Sequence, residues 1–230
     1  MTEDKRLASL LAAEQKAMAL FDAIEAAGLI APGKTERMVE QEIYRLAETA
    51  FGITRHWHKR IVRAGINTLT TATDNPPVRE IFSDDTVFID LGPVFGDWEA
   101  DVGRTYALGP DPQKQRLCRD LPRIFDALTQ YFHGHPDVTG AELYAEAQRQ
   151  ADAAGWLFGG AIAGHLVGEF PHARIPGDKD FYRISPANPT RMRDPDDFGQ
   201  TKYWIIEVHL VDLDRTFGGF YERLLRPAAQ

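Results

Sequence analysis

Thr86-Val87-Phe88-Ile89-Asp90-Leu91-Gly92, followed by Asp101-Val102-Gly103-Arg104-Thr105, is the stretch that decides how this chain folds. Apolar and β-branched residues on both sides of Asp90 read as a strand, yet a carboxylate inside such a run is expensive to bury without a cation, an ion pair or a bend. The same conflict recurs at Trp204-Ile205-Ile206-Glu207-Val208. In chain order, Asp90, Asp101, His165, Glu207 and Glu222 each lie on a segment that reads as a strand or a strand end. Hard divalent cations prefer carboxylate oxygens, an imidazole suits a transition metal, and two adjacent cations need carboxylates that bridge them. Singly, each residue reads as an ion pair or a turn residue; together they make a candidate two-metal set.

Outward from that stretch the chain alternates between helical and extended texture. Leu7, Leu10, Leu11, Met18, Phe21 and Ile24 recur at helical spacing, and Gly28 with Pro32-Gly33 ends the pattern. A second helix is predicted from Thr35, with Glu36 in its first turn, an apolar face of Val39, Ile43, Leu46 and Ala50, and Gly52 closing it. Strands are predicted at Ile61-Val62, Thr68 to Thr73, Val87 to Leu91 and Asp101 to Leu108. Asp111-Pro112 opens another helix, the capping box Thr139-Gly140-Ala141-Glu142 the next, and Gly155 stops it. Strands return from Gly159 to Arg226, interrupted by an irregular stretch from Ala173 to Lys202. The order of helices, strands, helices, strands predicts an α+β fold of pseudo-duplicated halves with a site between them, residues 1–230 forming one catalytic domain.

The composition bounds the rest. At 230 residues and 43% hydrophobic content the chain can fill a sizeable core. A formal net charge of -8, without a basic run, speaks against nucleic acid as a partner. No apolar stretch reads as a signal peptide or a membrane span, and a single cysteine, Cys118, fits a reducing compartment, so a cytoplasmic location with no membrane partner is expected.

Phe88-Ile89-Asp90-Leu91-Gly92 with Asp101-Val102-Gly103-Arg104-Thr105 resembles the paired metal-aspartate motif of the pita-bread metallopeptidases, the family of methionine aminopeptidase, Xaa-Pro aminopeptidase and prolidase. Gly164-His165-Leu166-Val167-Gly168, with His172 beyond it, resembles the histidine motif of that family, and Ile206-Glu207 and Tyr221-Glu222 resemble its two final glutamates. The resemblance covers nearly the whole chain and implies helices packed on a curved antiparallel sheet. It also implies a site holding two divalent cations, manganese, cobalt, zinc or iron. Asp90 would hold one metal, Asp101 and Glu222 would bridge the pair, and His165 and Glu207 would complete the other. Glu207 would also shuttle a proton, and His172 would hydrogen-bond the substrate carbonyl or the oxyanion. With 230 residues, the separate N-terminal domain of the prolidase branch is not expected.

Several positions depart from the family pattern. Thr70-Thr71-Ala72-Thr73-Asp74 falls where the family carries another histidine; His56 and His58 read as surface or edge residues, the alternative being that one of them compensates from a neighbouring strand. Leu166 replaces the usual glycine after the metal-ligating histidine and is expected to narrow the pocket. Arg174, Arg183, Arg191 and Arg193 follow His172 and suit carboxylate recognition, while the acids among them, Asp178, Asp180, Asp194, Asp196 and Asp197, equally fit a solvated loop. His209, two residues after Glu207, would share its face and either touch substrate or bond a neighbour. His133 and His135 read as a helix-terminal loop. The activity implied is hydrolysis of an amide bond in a small peptide, of aminopeptidase or Xaa-Pro dipeptidase type. A non-catalytic binding protein on the same fold and a hydrolase of a non-peptide amide are the alternatives, and a homodimer is compatible with either.

Overall fold

The computed structural model describes residues 1–172 and 179–227, Lys179 by its backbone only. Helices α1 (Glu3–Ala26) and α2 (Glu36–Phe51) come first, then strands β1 (Ile61–Ala64), β2 (Thr86–Leu91), β3 (Val94–Phe95), β4 (Trp98–Glu99) and β5 (Val102–Ala107). Helices α3 (Pro112–Gly134) and α4 (Gly140–Ala153) follow, then β6 (Leu157–Phe158), β7 (Gly164–Val167), β8 (Tyr203–Val211) and β9 (Gly218–Leu224). One antiparallel sheet runs β1-β2-β5-β9-β8-β6, with β7 also paired to β8, and β3 and β4 form a separate hairpin.

Local chemistry sets these boundaries. Thr35 caps α2 by accepting from the Met38 amide, and Gly52 ends it in the left-handed conformation. Asp111 accepts from the Gln113 and Lys114 amides at the start of α3. Thr139 and Glu142 form a reciprocal capping box on α4. The extended run expected from Thr68 to Thr73 is not a strand: a 3₁₀ turn covers Gly65–Leu69, and Thr70 closes on Asn67 by bonding its carbonyl. The buried Glu36 carboxylate holds that turn by accepting from Ala64 N and Asn67 Nδ2, so side-chain bonds outweigh the β-propensity of the threonines.

Period-two alternation then divides the sheet into a packed face and an open one. Val87, Ile89 and Leu91 of β2 pack with Leu20, Phe21, Ile24, Val39 and Ile43 of α1 and α2. Trp204, Ile206, Val208 and Leu210 of β8 pack with Leu117, Leu121, Ile124 and Leu128 of α3. The residues between them, Phe88 and Asp90 on β2, Glu207 and His209 on β8, Phe220 and Glu222 on β9, line a cavity on the other face. No helix among the described residues is long and apolar enough to cross a membrane.

Candidate metal centre

Strand register brings the acids together. Asp90 of β2 lies opposite Gly103 of β5, Gly103 lies opposite Glu222 of β9, and Glu222 lies opposite Glu207 of β8. Asp101 sits just before β5 and His165 within β7. Gly164, at φ +141° with a would-be Cβ 2.0 Å from the Ile205 carbonyl oxygen, lets β7 approach β8 closely enough to aim His165 inward. All five residues expected to bind metal, together with His172, His209, Leu166 and Arg183, border one cavity of about 570 Å³.

Asp101 reaches in two directions. Its Oδ2 lies 3.0 Å from His165 Nε2, which is also 3.5 Å from Glu207 Oε1. Its Oδ1 lies 3.2 Å from Nε2 of His58, a residue that reads in sequence as surface or edge. His58 is instead inside the site, its Nε2 a further 3.3 Å from Asp90 Oδ1. One ligand atom from each of His58, Asp90 and Asp101 lies within 4.8 Å of the others. The segment before it is anchored by backbone bonds from Trp57 N to the Gly92 carbonyl and from Val94 N to the Arg55 carbonyl. Gly92 is what admits the ring, because a Cβ there would stand 2.4 Å from His58 Nε2. The sequence signal was therefore present in Asp90-Leu91-Gly92, but it points to His58 only once the chain is folded.

Three buried carboxylates, those of Asp90, Asp101 and Glu222, and the half-buried one of Glu207 face two imidazoles. Among the described residues no lysine or arginine pairs with Asp90, Asp101, Glu207 or Glu222. Among the described residues, Asp90 Oδ1 and Glu222 Oε1 are buried without a hydrogen-bond partner. Burial pushes the Asp90 carboxyl up to about 6 against the pull of His58, and the Glu207 carboxyl up to about 7 against that of His165. Glu222 is driven well above the usual carboxylate range by burial and by the charges of Asp101 and Asp90. Burial would raise Asp101 too, but His58 and His165 hold it well below that range. Burial disfavours the imidazolium forms, yet the acids outweigh it and raise His58 to about 10 and His165 to about 9. Such a cluster gathers protons unless another positive charge takes their place. Two divalent cations carry the charge that balances four carboxylates, so the residues fit such a pair.

His172 stands at the rim, and the residue that fixes it was not singled out in the sequence. Glu99, on β4 and fully buried, accepts from His172 N at 3.0 Å and from His172 Nδ1 at 2.6 Å. That leaves Nε2 as the free ring nitrogen. Trp57 packs edge-on against His58, His165 and His172, with ring centroids 4.4, 5.2 and 4.8 Å away.

The remaining candidates divide. His209 borders the cavity, but its Nε2 is engaged by the Thr68 carbonyl at 2.8 Å. Arg174 lies outside the described residues. Arg183 borders the cavity 3.6 Å from Asp180, Arg191 pairs with Asp137, and Arg193 donates to the carbonyls of Phe132, His135 and Pro136 at the end of α3. Leu166 packs into the α3 and α4 core as well as bordering the cavity. His135 stacks on Tyr131, as a helix-terminal residue would.

The model of metallopeptidase family M24 matches residues 8–194. The chain belongs to this family. The match ends before Glu207 and Glu222, so the places of those two in the M24 site rest on the fold. Solved structures of the same fold include prolidase from Thermococcus sibiricus, at TM-score 0.70 and 21% identity, covering 99% of this chain and 62% of that one. A dipeptidase from Pyrococcus horikoshii OT3 gives 0.73 and 18%, covering 100% and 62%, and an X-Pro aminopeptidase from Thermotoga maritima MSB8 gives 0.67 and 17%, covering 99% and 65%. The M24 chain described here thus spans less than two thirds of the length of these three. The pita-bread fold expected from the motifs is the fold they share. No curated protein matches the sequence.

Proposed function

We propose that residues 1–230 form one catalytic domain that hydrolyses an amide bond of a small peptide with two divalent cations, Xaa-Pro dipeptides and N-terminal Xaa-Pro bonds being the first candidates. One observation carries this reading: four carboxylates, three of them buried and Glu207 half-buried, and two imidazoles, none of the acids paired with a lysine or arginine among the described residues, border a cavity large enough for a dipeptide. Asp90, Asp101 and Glu222 would hold the cations with His165 and Glu207, Asp101 presenting one oxygen to each side. When bound, the cations supply a water of lowered pKa and polarise the scissile carbonyl.

This chain's residues do the remaining work. Glu207, bordering the cavity, accepts the proton of the attacking water and delivers it to the leaving amine. His172, with Nδ1 held by Glu99, presents Nε2 to the oxygen on which charge develops. Trp57 and Phe88 form an apolar wall that excludes water from the reacting bond.

A second reading has its own support. Thr70, Thr71 and Thr73 border the cavity at the segment where the family carries a histidine, so the leaving group meets hydroxyls in place of an imidazole. A non-peptide amide is therefore the alternative substrate. The test is turnover of N-terminally varied dipeptides and tripeptides, Xaa-Pro included, beside simple amides, on protein reconstituted with manganese, cobalt, zinc or iron. Cleavage of Xaa-Pro substrates is expected; protein holding its metal but cleaving no peptide would overturn the peptidase reading.

A further inference from the structure

The two halves of the sheet answer each other in strand order across the β5–β9 pair, with β6 as an extra strand beside β8. Counted outward, β5, β2 and β1 on one side answer β9, β8 and β7 on the other. The chemistry follows the same order. Asp101 at the entry to β5 answers Glu222 on β9, and Asp90 on β2 answers Glu207 on β8. His165, on the outer strand β7, is then answered by His58, three residues before the outer strand β1.

The two histidines are also held alike. His165 Nδ1 donates to the Leu166 carbonyl at 2.7 Å, and His58 Nδ1 donates to the Lys59 carbonyl at 2.6 Å. In each case the partner is the carbonyl of the following residue, and the acceptor fixes the proton on Nδ1. Each Nε2 is thereby left facing two acids, and donation from Nδ1 to a carbonyl is the second-sphere arrangement that metal-ligating histidines use. Nitrogen and oxygen ligands at about 2.0–2.2 Å from a common cation stand roughly 3.0–3.4 Å apart. His58 Nε2 lies 3.2 and 3.3 Å from its two carboxylate oxygens.

We propose that His58 is a sixth protein ligand, binding through Nε2 the cation held by Asp90 and Asp101, so that each of the two metal positions carries one imidazole. This rests on the two-cation reading above. An imidazole on both sides favours manganese, iron, cobalt or zinc over magnesium or calcium at both positions. Gly92 belongs to the same arrangement, since it makes the room that the ring fills.

The experiment is cobalt(II) titration of the metal-free full chain by calorimetry, with proton NMR of the loaded protein. In the wild type, two equivalents should bind, and two solvent-exchangeable, paramagnetically shifted imidazole N–H signals should appear, one each from His165 and His58. His58→Ala should keep one tight equivalent, bind the second at least about 100-fold more weakly, above the range for losing a mere second-sphere partner, and show one signal. Two equivalents with a single shifted signal in the wild type, or two unchanged affinities in His58→Ala, would overturn the ligand assignment and leave the two-cation reading standing. A wild type that binds fewer than two equivalents would overturn the two-cation reading, and the sixth ligand with it. The wild-type signal count needs no variant and so holds even if His58→Ala folds poorly.

Discussion

The N-terminal half of the site is built from aspartates and the C-terminal half from glutamates. Asp90 and Asp101 meet an imidazole delivered from a loop, His58, whereas Glu207, with Asp101 again, meets one delivered from within a strand, His165. The loop is buttressed by Trp57, which packs edge-on against His58 and donates from Nε1 to the Ala100 carbonyl. In the C-terminal half, β7 is drawn against β8 and the longer glutamates reach inward. The two halves thus reach one ligand geometry by different backbone routes. The half with its histidine in a strand is legible from a local motif, and the half with its histidine in a loop is not.

The residue shared by both halves gives the largest effect. Asp101→Asn removes a negative charge facing both imidazoles, and metal content measured by mass spectrometry should fall at both positions. Hydrolysis should drop by roughly a thousandfold or more, the several kcal/mol that a Lewis-acid cation contributes. If the variant retained full metal, the two halves would not share this carboxylate. A smaller effect tests the link that crosses between halves, from Glu99 on β4 to His172. Glu99→Gln should lower kcat roughly 10- to 100-fold with metal stoichiometry unchanged, since it weakens only the bonds that hold the ring in place. Loss of metal instead would make Glu99 a support of the ligand set.

Away from the site, Glu14 of α1 staples the first half to β9 of the second. Its carboxylate accepts from Leu224 N at 3.0 Å, Arg223 Nε at 2.8 Å and Arg226 Nη2 at 2.6 Å. Burial would raise its pKa, but the two arginines outweigh burial and hold it below the usual range. A depressed carboxyl stabilises the fold above its unfolded pKa, about 4.3, and that contribution is lost as pH falls through the lower folded value. Denaturant melts should therefore show Glu14→Ala less stable by about 3 kcal/mol at neutral pH, with the gap closing in acid. A gap that stayed constant down to the lowest workable pH would show that packing, not charge, joins the halves there.

Much of this was legible from the sequence because it is local. The Thr139–Glu142 capping box, the Asp111 cap and the Gly52 terminus all form as their motifs predict. The acids stood out because apolar strands surround them. His58 did not, since its partners Asp90 and Asp101 are remote in sequence and no periodicity ties Trp57-His58-Lys59 to them. Glu99 escaped notice for a similar reason: it lies on a two-residue strand, and its burial depends on His172 closing over it. The Thr68 to Thr73 run misled because propensity favours a strand, whereas the buried Glu36 carboxylate, thirty residues upstream, decides the turn.

Anomalous diffraction from crystals grown with manganese or cobalt tests the account most directly. Two peaks roughly 3.5–4 Å apart are predicted, flanking the Asp101 and Glu222 carboxylates, one between His165 and Glu207 and the other between His58 and Asp90. A single peak, or peaks away from these six side chains, would contradict it.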